Sequence, residues 1–101
     1  MKEPLFIFLA HAVAAENRSY RAGARHALML YATGSDIAQA RSAAAAGAEA
    51  KGWNFIAVQR EKEMDGDPSV IEDDVLRTAA EDACRVGHAI VVYSDELALD
   101  S

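Results

Sequence analysis

The sequence is poor in most of the residues that mark special chemistry. It has one cysteine, Cys84, which excludes an internal disulfide framework and a cysteine-rich zinc site. Proline occurs twice and glycine six times in 101 residues, so the chain is neither collagen-like nor a low-complexity linker. Basic residues are outnumbered ten to sixteen. The net charge of −6 argues against capture of nucleic acid by charge alone. The longest apolar run, Leu5 to Ala15, is interrupted by His11 and is too short to span a bilayer. No phosphate-binding loop, dinucleotide fingerprint, nucleophile elbow or zinc-ligand spacing occurs.

What is present is an ordinary globular balance, 51% hydrophobic and 26% charged, at the size of one domain. Charge is unevenly spread. Residues 1–60 hold seven Lys/Arg against four Asp/Glu, a net of +3; residues 61–101 hold three against twelve, a net of −9. Opposite patches of this kind can meet within a fold or between subunits. Met1-Lys2, the apolar run and Ala12-Val13-Ala14 have the outline of a secretory signal. Glu3, Pro4 and His11 do not suit one, and the run reads better as a strand. A cytoplasmic location is the matching expectation.

Leu5-Phe6-Ile7-Phe8-Leu9 opens a first strand that reaches towards Ala14. A polar segment leads to a second strand over Arg25 to Ala32, and a short connection makes the pair antiparallel. Ser35 is the predicted N-cap of an alanine-rich helix over Asp36 to Lys51, ended by Gly52. Ile37, Ala40, Ala43, Ala44, Gly47 and Ala48 share a smooth face on it. A third strand covers Trp53 to Val58. Ser69 and Glu72 have capping-box spacing before a second helix over Val70 to Val86. Its predicted buried stripe is Ile71, Val75, Leu76, Ala79, Ala83 and Val86. Gly87 ends it, and His88 to Tyr93 form the fourth strand.

The expected fold is therefore an α/β (α+β-like) two-layer sandwich of order β-β-α-β-α-β, with two helices on a four-stranded mixed sheet. Crossover helices would make strands two, three and four parallel. Both faces of the first strand are apolar, so the sheet needs cover on both sides. If both helices share one face, a second subunit must cover part of the other, which predicts a homodimer. The alternative is a thin three-layer monomer with one helix on each face.

Few residues point to chemistry. Arg18, Tyr20, Arg21, Arg25 and His26 crowd the first connection and have the makings of a carboxylate or phosphate grip. They equally suit a subunit contact or a solvated hairpin. A hairpin centred between Arg18 and Ser19 pairs His11 with His26, Leu9 with Leu28 and Ile7 with Leu30. Two imidazoles about 5 Å apart can bind a metal or pass a proton, with Glu16 as the nearest carboxylate. A one-residue slip would place them on opposite faces.

Glu61 to Glu72 mimics a calcium loop in its acids and in Gly66. Glu61 is longer than the aspartate normally found at the first position, Pro68 is misplaced, and a strand precedes the segment. We read it as a chance match. Cys84 reads as a partly exposed structural thiol, Trp53 as core and His88 as a surface histidine.

The function expected from these residues is a small non-catalytic binding or assembly module acting as a homodimer. It needs no cofactor, metal, nucleic acid or membrane. The alternative is a small-molecule or anion-binding protein using Arg18, Tyr20, Arg21, Arg25 and His26. A small enzyme around His11 and His26 ranks third.

Overall fold

The computed structural model of the chain describes residues 3–15, 20–64 and 68–97. Seven elements follow one another: β1 (Leu5–Ala14), β2 (Arg25–Thr33), α1 (Ile37–Ala50), β3 (Trp53–Glu63), a 3-10 turn at Pro68–Val70, α2 (Asp74–Val86) and β4 (His88–Glu96). The fold is α+β, with the expected order of strands and helices and one four-stranded sheet. Arg18, Glu16 and the Asp65-Gly66-Asp67 part of the calcium-like segment lie outside the described residues.

The sheet order is β3-β1-β2-β4, and every neighbouring pair is antiparallel. The expected mixed sheet does not form, for a topological reason. The β1–β2 hairpin already occupies the centre. The α1 crossover returns β3 in the direction of β2, but beyond β1, so its neighbour is an antiparallel strand. Helix α2 then carries the chain to the opposite edge, where β4 runs against β2.

The helices flank the sheet on opposite faces. This is the alternative three-layer arrangement and not the two-layer sandwich, so a homodimer no longer follows from two helices sharing one face. Phe6, Phe8, Ala10, Ala12 and Ala14 of β1, with Leu28, Leu30 and Ala32 of β2, pack beneath Ala40, Ala44 and Ala48 of α1. Leu5 and Tyr31, from the other face, pack against Ala79, Ala80 and Ala83 of α2. Alternation along each strand produces this division, because successive side chains point to opposite faces.

Helix α1 buries the smooth face that its alanines define, and it lies close as a result. A Cβ built on Gly47 would stand 2.7 Å from Nδ1 of His88, and one on Gly34 would stand 2.8 Å from the backbone nitrogen of Ala40. Asp36, not Ser35, caps α1: its side chain accepts from the Gln39 amide. Ser35 instead donates from its amide and hydroxyl to Gln39 Oε1. The Ser69–Glu72 capping box is likewise absent, since the chain forms a 3-10 turn there and Asp73 caps α2. Helix α2 starts at Asp74, later than expected, and it packs on the sheet through Ala79, Ala80 and Ala83. That packing turns Val75 and Val86 of the predicted buried stripe outward, 63% and 58% exposed. Gly87 closes it in the left-handed conformation expected of a helix-ending glycine.

Tyr31 is 2% exposed on the α2 face. Burial, aided by Tyr93 and Asp73, pushes its hydroxyl up to about 12. The unfolded chain ionises this group near the ordinary value of 10, so the stability it supplies is complete below pH 10 and is lost as pH rises towards 12. Denaturation midpoints of the parent chain across that range should fall, and those of Tyr31→Phe should fall less. At Gly34 the obstructing atoms are backbone. Gly34→Ala should therefore cost about 1–3 kcal/mol in urea unfolding.

Candidate functional site

The β1–β2 register decides where the candidate residues go. Leu5 opposes Thr33, Phe8 opposes Leu30, His11 opposes Ala27, and Ala12 opposes His26. This is one residue away from the register that would pair the histidines. His11 and His26 therefore point to opposite faces, and the structure does not bring them together.

His26 is buried on the α1 side, with 1% of its surface exposed. Its ring lies 4.8 Å from that of Tyr20 and 5.5 Å from that of Trp53, and Tyr20 and Trp53 are 5.6 Å apart. Trp53 is placed by Gly52, which turns the chain out of α1 at a φ of 92°. His26 Nδ1 lies 2.9 Å from the Tyr93 carbonyl. A carbonyl only accepts, so the ring donates from Nδ1. Nε2 is then left buried without a hydrogen-bond partner. The three rings form a wall at the hairpin base; sequence reasoning placed Tyr20 and His26 near each other but did not connect them to Trp53.

The arginines of this segment do not converge. Arg21 is exposed and makes a two-pronged contact with Glu96, at 3.2 Å from Nε and 2.8 Å from an Nη nitrogen. Those hydrogen bonds hold the Glu96 carboxyl below the ordinary glutamate value. Arg25 opposes Val13 and shares its face, away from His26. Arg41 and Glu61 make a similar two-pronged pair at 2.8 and 2.7 Å between α1 and β3.

A second region was not anticipated residue by residue. Helix α2 covers only the β2–β4 side of its face. Leu9, His11, Val13 and Ala27 are half-buried, and neither apolar cluster includes them. Beside them Ile7, Leu9, Met29, Arg60, Glu61 and Lys62 line an open depression of about 330 Å³. Phe55, on the β3 edge where the register with β1 shifts, is 82% exposed at a φ of +54°. A bulky residue in the left-handed region is a strained position.

A third region runs along β4. Helix α2 and this edge strand border a groove of about 570 Å³, with Val75, Thr78, Asp82 and Val86 on one wall and Ile90 and Val91 on the other.

Among the described residues no group of three or more His, Cys, Asp or Glu is placed to hold a metal ion. No helix among them is long and apolar enough to cross a membrane. Cys84 is exposed. Comparison with protein-family models, with curated proteins and with solved structures finds no match. The fold and surfaces thus define a class only: a small antiparallel α+β domain with one helix on each face and one face incompletely covered.

The Arg21–Glu96 contact yields a direct check. In Arg21→Ala the Glu96 carboxyl should titrate at higher pH than in the parent chain, followed by carbon-detected NMR. An unchanged titration would mean that the pair does not hold in solution.

Proposed function

We propose that this chain is a non-catalytic assembly module that works as a homodimer. The observation that carries the reading is the incomplete α2 layer. The helix leaves apolar strand residues only half-buried on one side, at Leu9, Val13 and Ala27, and exposes Val75 and Val86 on its outer surface. Exposed apolar surface that a second chain would cover lowers the free energy by about 25 cal/mol per Å² removed from water. The charge asymmetry of the sequence, +3 over residues 1–60 and −9 over residues 61–101, agrees with this reading, although Arg21 and Arg41 are already paired with Glu96 and Glu61 of the same chain.

A second reading, a small anion site on Arg18, Tyr20, Arg21, Arg25 and His26, has less behind it. Arg21 is engaged by Glu96, His26 is buried, and Arg25 faces the other way. The orphan Nε2 of His26 does not help an anion, since it is an acceptor; it would suit the hydroxyl of a small ligand. The third reading, an enzyme built on His11 and His26, loses its geometric basis with the register.

Native mass spectrometry and sedimentation equilibrium over a range of concentrations separate the first two readings. The assembly reading expects a dimer with no added mass. A monomer at every concentration would refute it. A monomer carrying a small bound mass, lost in Arg21→Ala/Arg25→Ala, would transfer support to the anion site.

A further inference from the structure

The two edges of the sheet are built differently. On β3 the outer half is Gln59-Arg60-Glu61-Lys62-Glu63, all exposed. Charges of this kind blunt an edge against pairing. On β4 the stretch Ala89-Ile90-Val91-Val92 is apolar and half-buried, and carries no charge. The direction of its free backbone groups follows from the neighbouring pair. The Thr33 amide donates to the Gly87 carbonyl at 3.0 Å, so residues 87, 89 and 91 face β2. The N–H groups of His88, Ile90 and Val92 then point outward, away from the sheet. An apolar edge with free donors is a template for another strand.

The wall beside that edge repeats at helical spacing. Val75, Thr78, Asp82 and Val86 all line the groove. Asp74, paired with Arg77, lies at its start and Arg85, paired with Asp82, at its end; the Asp74 and Arg85 side chains are still 85% and 71% exposed. This pattern is self-complementary when reversed. An antiparallel copy centred near residue 80 sets Val75 against the partner's Val86, Thr78 against the partner's Asp82, and Asp74 beside the partner's Arg85. The strand agrees with the same axis. Residue 80 lies six residues before Val86, about 9 Å along the helix, a distance that β4 covers in about three residues, from His88 to Val91.

From this coincidence of edge, stripe and charge we infer that the second copy docks here. Its β4 pairs antiparallel with β4 across a two-fold axis near Ile90 and Val91, and the two α2 helices lie side by side. The inference rests on the dimer reading and names its surface. It joins two four-stranded sheets into one of eight strands and covers Val75 and Val86.

The test is amide hydrogen exchange on the full chain, below and above the concentration at which it associates. The outward amides of Ile90 and Val92 should exchange at least about tenfold more slowly in the associated state. An interface on the bare sheet face would leave them unchanged. A charge exchange supplies the second readout. Asp74→Arg and Arg85→Asp should each weaken association about tenfold by setting like charges face to face, and the double variant should recover most of the loss. Circular dichroism and melting confirm that each variant folds.

If the chain dimerises while Ile90 and Val92 exchange as before and the charge exchange has no effect, the edge is not the interface. The dimer reading then survives with the Leu9–Val13 face as its surface. A chain that is monomeric at every concentration overturns both.

Discussion

The hairpin register is the constraint on which the rest of this structure depends. Once Phe8 opposes Leu30 and Ala12 opposes His26, each side chain of the two central strands is committed to one face. The large aromatic and leucine side chains go beneath α1, and Leu5, Ile7, Met29 and Tyr31 go towards α2. The same register buries His26 beside Trp53 and leaves His11 on the opposite, partly bare face. A shift of one residue would exchange the two faces and move Phe6 and Phe8 to the side that α2 covers only in part. Phe8 is wholly buried, so that alternative carries a high free-energy cost.

The two helical layers solve the covering problem unequally. Helix α1 is lined with alanine and glycine, so the sheet supplies the bulk and the helix supplies closeness. Its contact extends from the Gly34 connection to His88 at the start of β4. Helix α2 is about as long as α1 but lies over β2 and β4, and its inward residues are three alanines supported by Ile71 and Leu76. It cannot reach across to β1 beyond Leu5 and Ile7. The half-buried strip at Leu9, His11, Val13 and Ala27 is the geometric remainder of that placement. On α2 itself Asp74 and Glu81, with Asp73 at its cap, are exposed to water beside Val75 and Val86.

Much of the fold was legible in the sequence because it depends on local signals. Strand propensity marked Leu5 to Ala14, an alanine run marked α1, and Gly52 and Gly87 marked the helix ends. The two apolar faces of β1 correctly required cover on both sides. The sequence could not say which helix went where, because a crossover carries no label for the face it takes. Helix starts were missed where two polar residues competed. Asp36 displaced Ser35 as cap, and Asp73 displaced Ser69, since an aspartate at the cap accepts the same amide with a full charge.

The candidate residues were less legible, because each depends on a register or a distant contact. His26 meets Tyr93 sixty-seven residues away, and Arg21 meets Glu96 seventy-five away. No window of sequence contains such a pair. The β4–α2 flank was hidden for a related reason. Val75 and Val86 fit an inward stripe at helical spacing, and only the helix's actual placement turns them outward.

The charged outer half of β3 has a consequence for how large any assembly can become. A sheet with two receptive edges is a unit that can add copies without limit, as a fibre does. A sheet with one receptive and one refractory edge can accept a single neighbour, after which both remaining ends are refractory. In an assembly through the β4 edge of the kind proposed, the run from Gln59 to Glu63 would be a terminator as well as a solvated surface. Replacing its charges with apolar residues would remove the limit on growth, and a chain of finite size would become a monomer of a polymer.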